Sequence, residues 1–138
     1  MMMRRKPEKL KPTALACGML EDNGRVLFLV KKDERGIECL EMPCVLVYSG
    51  GNPLSEITEE FKRQTGIDGQ VHESIKEGKQ NVGSRRKKHW ITVLVFRITA
   101  KNRTAKPSNE FSGFKWLDFD NAKNQRLSRK LEWIRVIG

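Results

Sequence analysis

Glu60, Arg63 and Gln64 are the residues whose spacing first suggests chemistry. On an α-helix, positions i, i+3 and i+4 share one face. Three carboxylates so placed would hold a hard cation such as Mg²⁺, which takes oxygen ligands. Here a single anion is accompanied by a guanidinium and a neutral amide. Each close charge pair is worth on the order of 1–4 kcal/mol at surface-like dielectric, so one anion beside a guanidinium and an amide is expected to hold Mg²⁺ poorly. Glu110, in a later polar segment, is a weak second carboxylate candidate, or simply a loop acid. Glu59 precedes Arg63 by four residues, the favourable order for a helical ion pair worth a few tenths of a kcal/mol.

A second chemistry lies in residues 83–90, GSRRKKHW. Arg85, Arg86, Lys87 and Lys88 run consecutively and lead into His89 and Trp90. Flexible cations suit backbone phosphates, and an exposed aromatic can stack a base. The plainer alternative is a solvated hairpin tip with Trp90 in the core, where strand tryptophans usually sit. Arg4, Arg5 and Lys6 would add phosphate contacts. A third candidate, zinc held by Cys39 and Cys44 with His72 or His89, has the wrong spacing for common zinc modules, so no zinc is expected. Three cysteines without a CxxC point to a reducing compartment, and a cytoplasmic location is expected.

Charge is the compositional feature that bears on function. The 138 residues carry a net charge of +10, unevenly spread. Residues 79–106 contain nine Lys or Arg and no acid, whereas residues 38–68 contain six acids against Lys62 and Arg63. Such segregation produces a positive side that attracts phosphates. The length fits one domain, with residues 1–12 as a basic, flexible arm and residues 13–138 as the folded unit. No apolar run approaches the roughly 18 residues of a membrane span, and the charged start is no secretory signal.

Positioning these groups requires a sheet and a helix. TALACGMLE and RVLFLVKK read as strands joined by the DNG turn signal. IECLEMP and CVLVYSGG are β-like pieces divided by Pro43, which cannot donate to a ladder. The clearest helix follows, with Asn52 as N-cap, Pro53 at the first position and Gly66 as the left-handed stop. Leu54, Ile57 and Phe61 form its expected buried stripe. QVHESIKEG, HWITVLVFRITA and FSGFKWLD read as further strands, with a loop over residues 101–109. NQRLSRKLEWIRVI is expected to close the chain as a helix with Leu127, Leu131 and Ile134 on one face. The order predicts an α/β (α+β) domain, a mixed sheet between helices.

From about Thr13 to Trp133 the chain resembles the Nudix hydrolase family. The resemblance rests on the strand–DNG–strand opening, LEMP, the helix ending in TGI, and EFSGFKWLDFD. The family box, G-x5-E-x7-R-E-U-x-E-E-x-G-U with U apolar, lies without a gap on residues 45–67. Glu60, Phe61, Gly66 and Ile67 match it. The first Gly falls on Val45, the isolated Glu on Gly51, the Arg on Glu59, and the paired Glu residues on Arg63 and Gln64. The resemblance implies a Nudix-like fold with a degenerate box. Loss of both the Arg and the isolated Glu strands neither charge.

The resemblance implies attack of a metal-activated water on a diphosphate in the family's enzymes. With the carboxylates replaced, the expected function is noncatalytic binding of nucleotide, RNA or another polyanion, with no cofactor. A divergent hydrolase of nucleoside diphosphate derivatives, using Mg²⁺, is the alternative. A structural subunit of a ribonucleoprotein or protein complex is a third.

Overall fold

Asn23 and Gly24 both adopt positive φ (53° and 77°), the conformation of a tight primed hairpin turn that matches strand twist. They join β1 (Pro12–Asp22) to β2 (Arg25–Lys32). The computed structural model describes residues 11–136, and the proposed contacts of Arg4, Arg5 and Lys6 lie outside it. β3 (Glu38–Glu41) and β4 (Cys44–Tyr48) follow, interrupted at Pro43, whose carbonyl accepts from Gly18 N–H at 2.8 Å. After helix α1 (Pro53–Thr65) come β5 (Gln70–Asn81), β6 (Trp90–Thr99), β7 (Gly113–Leu117) and the short helix α2 (Phe119–Lys123).

Strand order along the seven-stranded sheet is β3-β2-β1-β6-β5, with β4 also on β1 and β7 on β2. Among the ladders of the described strands, β1–β6 is parallel and the others are antiparallel. The long β1 makes this possible, since its first part pairs with β4 and its end pairs with β2. The sheet is thus mixed and covered on both faces, as the element order implies. One face packs Leu15, Cys17, Phe28, Val93 and Val95 against Ala122, Leu131, Trp133 and Ile134. The other packs Ala16, Val47 and Phe96 against Ile57, and Leu20, Leu27 and Ile98 against Phe61. Cys17, Cys39 and Cys44 are all free and buried, and burial pushes the Cys17 thiol well above its ordinary value. Among the described residues no helix is long and apolar enough to cross a membrane.

Helix α1 is built as its sequence dictates at both ends. Asn52 Oδ1 accepts from Ser55 N–H at 3.2 Å, Pro53 opens the helix, and Gly66 closes it at φ 73°. Its buried side differs from expectation. Leu54 is exposed and joins no buried cluster, while Gln64 and Thr65 complete the stripe begun by Ile57 and Phe61. Gln64 tolerates burial because its amide is hydrogen-bonded.

The expected closing helix is also corrected. Residues 129–135 form a 3₁₀ helix (Arg129–Arg135), and Leu127 lies before it, bridged in parallel to Leu40. Hydrogen bonds Leu40 N–Arg126 O and Ser128 N–Leu40 O, both 2.8 Å, draw residues 126–128 onto the edge of β3. That extended docking interrupts the helical pattern, yet Leu127, Leu131 and Ile134 are still buried.

Candidate functional site

The last turn of α1 leaves carbonyls without intrahelical partners. Lys106 N–H bonds Thr65 O at 2.7 Å and Ser108 N–H bonds Gln64 O at 3.0 Å, so the loop after β6 is fastened to the helix end. This fastening carries Glu110 to the helix face that presents Glu60 and Arg63.

Arg63 donates from Nε to Glu60 Oε1 at 2.8 Å and from Nη2 to Glu60 Oε2 at 2.9 Å, a two-point fork. The same Nη2 donates to Glu110 Oε1 at 2.9 Å, which also accepts from Ser108 Oγ. Gln64 Nε2 donates to Glu60 Oε2 and to the Cys44 carbonyl, each at 2.8 Å. The expected Glu59–Arg63 pair is replaced by the Glu60 fork, because the guanidinium turns inward between two carboxylates. Glu110, expected as a plain loop acid or a weak metal candidate, is an ion-pair partner. The Arg63 hydrogen bonds, followed by that from Gln64, hold the Glu60 carboxyl below its ordinary 4.5 against the opposing effect of burial.

A divalent cation at this face would need Glu60 and Glu110 oxygens that now accept from a guanidinium and an amide. The face thus sets one guanidinium and one amide against two carboxylates. Among the described residues no three or more His, Cys, Asp or Glu side chains gather at metal-binding distances.

Around this cluster the surface is concave. A cavity of about 180 Å³ is lined by Glu60, Arg63, Gln64 and Glu110 together with Lys31, Glu41 and Lys130. Lys31, Glu41 and Lys130 also line a larger cavity of about 370 Å³, so the two adjoin. Lys32, Arg126 and Arg129 border the larger one. Asp33 engages Arg126 at 3.4 Å. Lys31, Lys32, Arg129 and Lys130 have no acidic partner within 4.0 Å among the described residues. The sequence reading missed these cations, which come from β2 and the 3₁₀ helix and converge only in the fold.

The basic segment 85–88 lies elsewhere, at the β5–β6 hairpin tip, and lines neither cavity. Asn81 Oδ1 accepts from the N–H groups of Gly83 and His89, both at 2.9 Å, and Ser84 Oγ accepts from Lys87 N–H at 2.8 Å. His89 Nε2 lies 3.1 Å from the Pro12 carbonyl. Arg85, Arg86, Lys87 and Lys88 are exposed on this pinned turn. Trp90 is not in the core: it is 58% exposed at the start of β6, on the sheet face opposite buried Ile91.

Solved structures share this architecture. The E. coli ORF135 protein superposes with TM-score 0.72 at 14% identity, covering 95% of this chain and 91% of its own. The E. coli dihydroneopterin triphosphate pyrophosphohydrolase gives 0.66 at 17% identity, covering 94% and 97%. The NUDIX domain of Shewanella oneidensis NrtR, complexed with ADP ribose, gives 0.63 at 11% identity, covering 96% and 89%. At these identities the likeness establishes the fold. No curated protein sequence matches the chain. The family model for the NUDIX domain matches residues 9–135, nearly its whole length, and the chain therefore belongs to the Nudix family.

Proposed function

We propose that the protein binds a phosphate-bearing nucleotide in the paired cavities and does not hydrolyse it through a metal. The observation that carries this reading is the Arg63 fork. A guanidinium held by Glu60 and Glu110 stands where the family resemblance puts a carboxylate-bound cation. The cleft nevertheless keeps the character of an anion site. Lys31, Lys32, Arg129 and Lys130 face it, and its larger cavity of about 370 Å³ falls in the size range of small-ligand sites. Two fold neighbours are consistent with such a ligand, one named for a dihydroneopterin triphosphate and one complexed with ADP ribose.

The test pairs binding with turnover. Nucleoside diphosphates and diphosphate-linked derivatives are titrated calorimetrically, and release of products is followed with Mg²⁺ and Mn²⁺. Binding without turnover is expected. Metal-dependent turnover that disappears in Glu60→Gln would establish the divergent hydrolase instead.

A second reading, RNA bound at the hairpin tip, is favoured by the exposure of Trp90 beside four pinned cations. Cations on a prefixed turn lose little freedom on meeting phosphates, and an exposed indole offers a stacking face. Fluorescence anisotropy with short single-stranded RNA at low salt tests it, and absence of binding there rejects it.

A further inference from the structure

Glu41 is the one carboxylate that both cavities share. Alternation along β3 sends Leu40 and, just beyond the strand, Met42 into the core. Glu41 therefore points to the opposite side, towards the cavities. It is only 7% exposed. Its Oε1 accepts from Ser128 Oγ at 3.2 Å, and its Oε2 has no hydrogen-bond partner among the described residues. Lys31 and Lys130 line the same cavities but make no ion pair with it within 4.0 Å. Glu41 is thus mostly buried, yet its Oε2 is not among the buried atoms that lack a partner, so this oxygen is open to a donor that enters from the cavities.

What donates is constrained by the surroundings. The rim is cationic and selects phosphates, whereas the floor is a carboxylate, which only accepts. A ligand satisfying both carries phosphate at one end and N–H donors at the other. Among the common bases, the guanine Watson–Crick edge offers two adjacent N–H donors, matching the two oxygens of a carboxylate as a guanidinium fork does. Adenine and cytosine set their single amino group beside a ring acceptor, which would face the second oxygen. Uracil places its one N–H between two carbonyls. We propose that Glu41 makes this cleft selective for a guanine nucleotide. The inference rests on the nucleotide-binding reading above and adds its base specificity.

Calorimetric titration of the full chain with GDP, IDP, ADP, CDP, UDP and inorganic pyrophosphate tests it. GDP is expected to bind tightest, about ten- to hundred-fold above IDP, which lacks the 2-amino donor, and above ADP. Glu41→Gln, which turns one acceptor into a donor, is expected to erase that margin without weakening pyrophosphate binding, since it removes a negative charge from the cavities. Ser128→Ala removes only the hydroxyl and is expected to keep the GDP preference. Equal affinity for all five nucleotides, or preference for ADP, CDP or UDP, would overturn the base assignment while leaving nucleotide binding standing. Failure to bind any nucleotide or pyrophosphate would overturn both. The wild-type series alone decides the matter if Glu41→Gln does not fold.

Discussion

Arg63 and Glu110 are 47 residues apart in sequence and meet at 2.9 Å. Their contact ties α1 to the loop after β6 through a charge triad with Glu60. Arg63 carries one positive charge between two carboxylates, so the cluster holds a net charge near −1. The cations of the neighbouring cavities remain available for a ligand.

Replacing Arg63 and Gln64 together by Glu is expected to create a divalent-cation site with Glu60 and Glu110. Without metal the double variant gathers four carboxylates and should be destabilised by about 1–3 kcal/mol, since like charges one turn apart repel. Mn²⁺ should restore the melting temperature of the variant and leave wild type unmoved. Thermal melts with and without Mn²⁺, backed by electron paramagnetic resonance of bound Mn²⁺, measure both effects.

Arg63→Met should let Glu60 titrate at higher pH. The carboxyl lies below 4.5 chiefly because Arg63 donates to it, so its folded value is depressed relative to the unfolded chain. Such a group stabilises the fold above about pH 4.5 and loses that contribution as pH falls through the folded value. The stability gap between wild type and Arg63→Met should therefore be widest near neutral pH and close towards strong acid. Half of the Arg63 side chain is exposed, so the gap is modest. Carbon-13 NMR titration of the Glu60 carboxyl reads the shift directly.

Gly18→Val should destabilise the domain by about 1–3 kcal/mol through overpacking. A Cβ at position 18 would come within 2.5 Å of Ile98 Cδ1 and 2.9 Å of Phe61 Cδ1, because Phe61 lies directly on the β1 backbone there. The lost room would lift α1 from the sheet and disturb the Glu60 face with it. Urea denaturation gives the stability change, and an unaltered midpoint would contradict this packing.

Neutralising Arg85, Arg86, Lys87 and Lys88 should weaken binding to single-stranded RNA and flatten its salt dependence. If all four cations touch phosphates, the logarithmic slope should fall by about 3, at roughly 0.7 per contact. GDP binding should be unchanged, because the hairpin tip lines neither cavity. Anisotropy titrations between low and physiological salt supply the slope.

The parts of this fold that were legible in the sequence are those set by local chemistry. Asn23 and Gly24 announce their turn because few residues tolerate positive φ, and Asn52, Pro53 and Gly66 mark α1 because each meets a need of a helix end. The misread features depend on distant partners. Nothing near Leu127 reveals that the edge of β3 will hold it extended, and nothing near Leu54 reveals that no core residue covers it. Arg63 could be read as a cation on the helix, but its choice of Glu60 and Glu110 over Glu59 depends on a loop tied down by Lys106 and Ser108. Glu41 did leave a trace, a charge set between Leu40 and Met42 at the end of β3. Its meaning required the cavities on its free side.

The tie between that loop and the helix end has a consequence for how the cluster comes apart. Thr65 and Gln64 carbonyls are bonded by the amides of Lys106 and Ser108, so unwinding the last turn of α1 releases the loop, and releasing the loop frays the turn. The two segments then form one cooperative opening unit, and the Lys106 and Ser108 amides should exchange with solvent at the pace of the helix terminus. Glu110 reaches Arg63 only while that unit is closed, whereas the Arg63–Glu60 fork lies within α1 itself.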